Sequence, residues 1–223
     1  MRFFLDFDGT ISSQDVVDVV LERFADERWK DVEKDWVEGR IGSRECLGRQ
    51  VDLVRASTEE VYSAISSVKV DSHFVPFILK AKELEIPVAI VSDGFDLLIR
   101  QVLTQNLPGL SGVWEDLPLF SNKLLKTKNG FKALFPAEIP CPHGCANCKE
   151  AVMEKWAQAD QELIFVGDGF SDRYAAKRAG LTFAKGKLLT YCRDNGIEHL
   201  PYENFKTITQ WMSKKWTPLK KVS

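Results

Sequence analysis

Asp6-Phe7-Asp8-Gly9-Thr10 sets two carboxylates directly behind the apolar run Phe3-Phe4-Leu5. At the end of a strand, residues i and i+2 point to the same side, so Asp6 and Asp8 face one pocket while Phe7 turns into the core. Two acids this close repel, and a proton on one or a bound cation must compensate. A second acidic string, Gly167-Asp168-Gly169-Phe170-Ser171-Asp172, ends another apolar run, Leu163-Ile164-Phe165-Val166. A helix N-terminus accounts for Asp172, because carboxylates stabilise that position by about 0.3–1 kcal/mol. It does not account for Asp168, which has glycine on both sides. Acids from two strand ends aimed at one crevice fit Mg²⁺, which takes carboxylate oxygens and water and is commonly bound together with substrate phosphates. Ser92, closing Val88-Ala89-Ile90-Val91, offers a hydroxyl to such a phosphate. The amides of Asp93 and Gly94 are expected at a helix N-terminus, which attracts anions.

The elements that must position these groups follow from patterning. All three runs are continuously apolar rather than alternating, as in parallel strands covered on both faces. Each is followed by a helical pattern: Leu97, Leu98, Val102 and Leu103, stopped at Pro108-Gly109, after the second; residues 171–179, ended by Gly180, after the third. Thr182-Phe183-Ala184 reads as a further short strand. This alternation predicts an α/β fold, a Rossmann-like doubly wound parallel sheet, which binds ligands beyond the carboxyl ends of its strands. Residues 12–80 read as helical instead. Ser12 and Asp15 resemble a capping box that opens a helical pattern over residues 15–29, Ser57 and Glu60 open another helix, and Asp71 with Ser72 is expected to cap the helix holding Phe74, Phe77 and Ile78. Residues 117–136 predict a small β-hairpin flap, turned near Asn129-Gly130. The expected organisation is a core of residues 1–11 and 81–223 and a helical cap of residues 12–80.

The set resembles the haloacid dehalogenase superfamily of phosphohydrolases: a DxDGT string, a Ser ending the second strand, a Lys upstream of the third, and a GDGxxD string, in that order over residues 3–185. The resemblance implies that Asp6 is the nucleophile and forms an aspartyl-phosphate. Asp8 would be the general acid and then the base. Mg²⁺ would be held by Asp6, the Asp8 carbonyl and Asp168. Thr10 and Ser92 would bind phosphate, Lys149 would neutralise its charge, and Asp172 would orient Lys149 or a metal-bound water. The helical segment resembles this superfamily's cap, which closes over the site.

The text Gly39–Val51 together with Val91-Ser92-Asp93-Gly94-Phe95-Asp96 looks like the phosphoserine-phosphatase-like branch, most similar to phosphatases of 2-hydroxy-3-keto-5-methylthiopentenyl-1-phosphate in methionine salvage. Phosphoserine phosphatases use an acid soon after the first motif, a slot Asp15 matches, and an Arg directly before a Val in the cap, a slot filled here by Gln50. Arg49 is adjacent, but one residue on a helix turns a side chain by about 100°. A neutral amide lacks the charged bidentate grip that Arg gives a carboxylate. Phosphoserine is therefore disfavoured, while phosphoethanolamine and phosphocholine stay compatible with Asp15, which serves equally well as a helix-start acid.

Cys141-Pro142-His143-Gly144-Cys145-Ala146-Asn147-Cys148 gathers three of the five cysteines immediately before Lys149. Cys141, His143, Cys145 and Cys148 could supply four ligands to Zn²⁺, against which stands the tight bend one short loop must make, or they form a loop of oxidisable thiols. A metal- or redox-responsive binding module built on this loop, with an idle scaffold, is the rival function from another class. A phosphotransferase is a third. Trp29, Trp36 and Trp156 read as packing, and Lys214-Lys215 and Lys220-Lys221 as a solvated basic end.

Composition sets the outer bounds. The chain has 223 residues, a formal charge of −2, 44% hydrophobic and 28% charged residues, which excludes a disordered or fibrous protein. Near-neutrality gives no electrostatic reason for nucleic acid or a membrane surface as partner. No apolar run approaches the ~18 residues of a membrane span, and the first residues lack a signal-peptide pattern. An odd cysteine count fits a reducing compartment, so a cytoplasmic location is expected, and the resemblance implies a small phosphorylated metabolite as the partner. Oligomeric state is not legible.

Overall fold

In chain order the elements are β1 (Arg2–Leu5), α1 (Val16–Phe24), α2 (Trp29–Val37), α3 (Ser43–Val51), α4 (Thr58–Ile65), α5 (Phe74–Glu83), β2 (Val88–Phe95), α6 (Asp96–Asn106), the short α7 (Ser111–Trp114), β3 (Leu119–Thr127), β4 (Gly130–Leu134), α8 (Lys149–Trp156), β5 (Leu163–Gly167), α9 (Arg173–Arg178), β6 (Leu181–Ala184), α10 (Gly186–Asp194), β7 (His199–Pro201) and α11 (Phe205–Lys215). The computed structural model describes residues 1–128, 130–135, 141–158 and 161–215. Asn129 of the expected hairpin turn, residue 136 at the hairpin's outer limit, and Lys220-Lys221 lie outside these. Among the described residues no helix is long and apolar enough to cross a membrane.

The strands form one seven-stranded sheet in the order β4-β3-β2-β1-β5-β6-β7. All neighbours are parallel except β3 and β4, which make the expected antiparallel hairpin, with Thr127 opposite Gly130. Strand alternation sorts the side chains to two faces. Phe3 and Leu5 of β1, with Ile164 and Val166 of β5, are buried with α5, α6 and α11. Phe4 and Phe165 are buried on the opposite face with Val152 and Met153 of α8, Ala175 and Ala176 of α9, and Leu188 of α10. The small residues of α9 let that helix lie close to the sheet. Two covered faces explain why these strands read as unbroken apolar runs.

Several local expectations change. Ser12 does not form a capping box: its hydroxyl donates to the Phe7 and Gln14 carbonyls (3.0 and 2.8 Å), and Asp15 caps α1, accepting from the Val17 and Asp18 amides (2.8 and 3.0 Å). The Ser57/Glu60 capping box does form. Asp71 accepts from the His73 amide and the Phe205 amide, so it ties the start of α5 to α11 while His73 takes the cap position. Residues 93–95 continue β2 across a bulge, and Phe95 pairs with Asn122, so the following helix starts only at Asp96. The Asp93 and Gly94 amides therefore do not sit at a helix N-terminus. Within residues 12–80, α5 lies on the sheet: the Phe77 ring meets Phe3 edge-on at 5.3 Å and Phe205 at 5.0 Å.

Candidate active site

The ends of β1, β2 and β5 and the start of α8 meet at one point. The Asp6 amide donates to the Val166 carbonyl (2.9 Å), which locks the end of β1 to β5. The chain then turns sharply, the Phe7 carbonyl accepting from the amides of Thr10, Ile11 and Ser12, while the Phe7 ring is fully buried. Gly9 makes the turn with φ +71°, and a Cβ there would fall 2.4 Å from Asp168 Oδ2. The Asp168 carboxylate thus packs against bare backbone. Gly9→Ala is expected to cost about 2 kcal/mol or more, from the left-handed backbone and the displaced carboxylate. A denaturant melt unchanged from wild type would show that the turn tolerates a side chain.

Lys149, the first residue of α8, is only 4% exposed and places Nζ 2.6 Å from Asp6 Oδ1 and 2.5 Å from Asp172 Oδ1. Asp172 is fully buried, and its other oxygen accepts the Asp168 and Gly169 amides, both at 3.0 Å. Carboxylate oxygens of Asp6, Asp168 and Asp172 all lie within 4.8 Å of one another. Burial, followed by the charge of Asp172, holds the Asp6 carboxyl well above the ordinary carboxylate range. The same causes push Asp168 up to about 6. Burial works against the Lys149 charge, but Asp172 and Asp6 overrule it and hold the ammonium well above its ordinary value. One cation set among three acids in a dry place does not balance three carboxylates, so a proton or a further cation must compensate.

Asp8 sits across from this group. Its Oδ1 accepts from the Val16 amide at the start of α1 (2.8 Å), and its Oδ2 from the Ser92 hydroxyl (3.4 Å). Burial, with the charge of Asp15, raises the Asp8 carboxyl well above its usual range. Ser92 also accepts the Gly94 amide (2.9 Å). Thr10 is buried and donates to Asp168 Oδ1 (3.2 Å), so here it steadies a carboxylate. Burial pushes the Asp93 carboxyl up to about 6 although Lys149 opposes it.

A cavity of about 630 Å³ opens above these residues. Its floor includes Asp6, Asp8, Asp93, Gly94, Lys149 and Asp168, and its opposite wall comes from α1, α2 and α3 and the turn before them. Asp15 and Gln50 line it; Arg49 does not, and pairs instead with Glu45 (3.4 Å) and Asp35 (4.0 Å) on the half-exposed outer side of α3. The Gln50 amide nitrogen donates to Glu33 Oε2 (2.9 Å). Trp156 is packing, edge-on to Phe4 and Phe120, whereas Trp36, expected to be packing, lines the cavity. Glu33 and Asp18 on the wall carried no motif in the sequence, although Asp18 stands one helical turn from Asp15. Asn147 and Asn122 also went unassigned, because Asn is ordinary in loops and strand ends. Asn147 Nδ2 donates to the Ser92 and Phe120 carbonyls (3.1 and 2.8 Å), its amide donates to Asp93 Oδ1 (3.2 Å), and Asn122 donates to the Asp93 carbonyl (2.6 Å). Together they fasten the loop before Lys149 to β2 and β3.

The sulfurs of Cys141, Cys145 and Cys148 converge within 4.8 Å, whereas His143 is not among them. Its ring stacks on Tyr174 at 3.6 Å, with Nε2 3.8 Å from Glu150. The four-ligand set expected from spacing therefore reduces to three thiols.

Comparison with known proteins matches residues 2–180 to the family model of haloacid dehalogenase-like hydrolases. The chain belongs to that family. Similar curated proteins include two named 2-hydroxy-3-keto-5-methylthiopentenyl-1-phosphate phosphatase. The one from Bacillus pumilus is 26% identical, covering 94% of this chain and 94% of the relative. The one from Geobacillus kaustophilus is 29% identical, covering 91% and 90%. Among solved structures, a substrate-bound phosphoserine phosphatase complex superposes with a TM-score of 0.68 at 20% identity, over 94% of this chain and 97% of that one. The family hydrolase shares the α/β architecture of that structure, and the matches carry the expected enzyme class, a phosphoric monoester hydrolase.

Proposed function

We propose that this hydrolase is a Mg²⁺-dependent phosphomonoesterase that acts on a small phosphorylated metabolite of the cytoplasm through an aspartyl-phosphate on Asp6. The observation that carries the reading is the buried Lys149 ammonium bridging Asp6 and Asp172, with Asp168 alongside. The donor set is all oxygen, excess in negative charge and buried, and so fits Mg²⁺ rather than a thiophilic ion. Asp6, Asp168 and the Asp8 carbonyl would hold it, and when bound it would screen the phosphate's charge against the carboxylates.

Lys149 opposes the burial that raises the Asp6 pKa and occupies its Oδ1, so Oδ2 of the carboxylate form is the oxygen that attacks phosphorus. Asp8, with its raised pKa, carries the proton that the leaving alkoxide takes. The Asp8 carboxylate then removes a proton from water, whose oxygen attacks the phosphorus and releases phosphate and Asp6. Ser92 and Lys149 would bind phosphate oxygens. Asp172, with both oxygens already engaged, positions Lys149. The wall from α1–α3 would serve as the cap and exclude water.

Val17, Trp36, Val37 and Leu47 give that wall an apolar side suited to a methylthio tail, which supports 2-hydroxy-3-keto-5-methylthiopentenyl-1-phosphate as substrate. A second reading, an amino-alcohol phosphate, draws on Asp15, Asp18 and Glu33 in the same wall. Among the described residues no arginine lines the cavity to grip a phosphoserine carboxylate, and the Gln50 amide is engaged by Glu33. Initial rates over a panel of these phosphates, with and without Mg²⁺, test the reading: no turnover of any phosphomonoester removes it, and the preferred ester chooses between the two substrates.

Mg²⁺ is also expected to stabilise the fold in a pH-dependent way. Asp168 has a folded pKa raised to about 6. Its contribution to stability is thus fully present below the unfolded carboxyl value of about 3.9 and is lost as pH rises through about 6. A cation that needs the carboxylate form offsets that loss. At 100 times its Kd, Mg²⁺ should add about 2.7 kcal/mol, roughly 5–10 °C in Tm, above pH 7 and much less at pH 5. Calorimetry showing an equal shift at both pH values would contradict it.

A further inference from the structure

We propose that Cys141, Cys145 and Cys148 bind one thiophilic divalent ion of the zinc class, which fixes the loop delivering Lys149. All five cysteines are free thiols. Three of them, spread over eight residues, bring their sulfurs within 4.8 Å of one another. A tetrahedral zinc with Zn–S near 2.3 Å separates its sulfurs by about 3.8 Å, so the thiols are close to the spacing one ion requires. A disulfide between any two would leave the third sulfur crowded beside it with no partner. The three converge as a set, and a single ion uses all of them.

The surrounding backbone is built to hold that convergence. Gly144, with φ +64°, reverses the chain between Cys141 and Cys145. It does so against the cap: a Cβ on Gly42 would lie 2.5 Å from the Gly144 carbonyl oxygen, which accepts the Arg44 amide at 3.1 Å. Cys148 is the cap residue of α8 and is buried. Asn147, between two ligands, is anchored to β2 and β3 by three hydrogen bonds. His143 is turned to Tyr174 and is not part of the set. The site is chemically separate from the oxygen-lined one, because thiolates select zinc and carboxylates select Mg²⁺. Its role is positional: the loop it closes touches α3 on one side and begins α8 on the other.

Elemental analysis of the full chain, expressed with added zinc and purified reduced and without chelator, is expected to give about one zinc per chain. Co²⁺ added to the stripped wild-type chain should give intense thiolate-to-metal charge transfer and tetrahedral bands. Cys141→Ser and Cys148→Ser should each lose most of the zinc, and His143→Ala should keep it. If Cys148→Ser does not fold, the half-exposed Cys141→Ser and the Co²⁺ spectrum of the wild type decide. Metal-free wild type, zinc retained in the Cys variants, zinc lost in His143→Ala, an iron–sulfur chromophore, or a disulfide in place of metal would each overturn the site. None of these readouts depends on phosphatase activity, so the two proposals fail separately.

Discussion

Asp6→Asn should lower turnover of p-nitrophenyl phosphate by roughly 10⁴-fold or more, since loss of a nucleophile removes the covalent route as a whole. The amide keeps the shape of the side chain and can still meet Lys149, so the fold should survive. Stability should stay close to wild type near neutral pH, because Lys149 loses its pair with Asp6 but keeps the one with Asp172. Burial and the neighbouring Asp172 charge disfavour the Asp6 carboxylate, and an amide carries no such penalty. A variant that retains turnover while melting like wild type would remove Asp6 from the nucleophile's role and leave the rest of the site to be reassigned.

Lys149→Met tests the opposite partner. Methionine fills much of the same volume without charge, leaving Asp6 and Asp172 buried with no cation between them. Breaking one side of a buried pair costs about 3–5 kcal/mol. The sign with pH is fixed by the acids left behind. Without the ammonium, the raised pKa of Asp6 climbs further above its unfolded value. Its contribution is then complete below that unfolded value and lost as pH rises through the folded one. The deficit against wild type should therefore be large at pH 8 and shrink toward pH 5. Activity should fall by about 10³-fold, because nothing remains to neutralise the transferring group. A deficit constant across that range would mean that lost packing, not charge, explains the variant.

That Asp6, Asp8 and Asp168 meet at one cavity floor is legible in the chain because its information is local. A strand that ends in Asp-x-Asp-Gly dictates where two side chains point, and continuous apolarity dictates a sheet covered on both faces. Lys149 was different. Nothing in its own neighbourhood marks a lysine for burial; only the order of motifs around it singles it out, and its contacts with Asp6 and Asp172 are tertiary. What was missed is tertiary. The Asp93-Gly94 segment stayed extended because pairing with β3 extends β2 to Phe95, overriding the helical pattern beyond. Ser12 spends its hydroxyl on the Phe7 turn, a bond no spacing rule anticipates. Arg49 and Gln50 are neighbours in sequence, yet one faces solvent and the other the cavity, as the helical turn between them requires. Asn147 could not be recognised before its three partners, from distant strands, were in view.

The opposite wall of the cavity comes largely from one stretch of chain, from Asp15 to Gln50, while Asp6, Asp8, Lys149 and Asp168 come from elsewhere. On the proposed reading, preference can therefore be reshaped by altering a single contiguous block, with the proposed bond-breaking residues left untouched. Exchanging that block between relatives offers a modular route to new specificities on an unchanged engine.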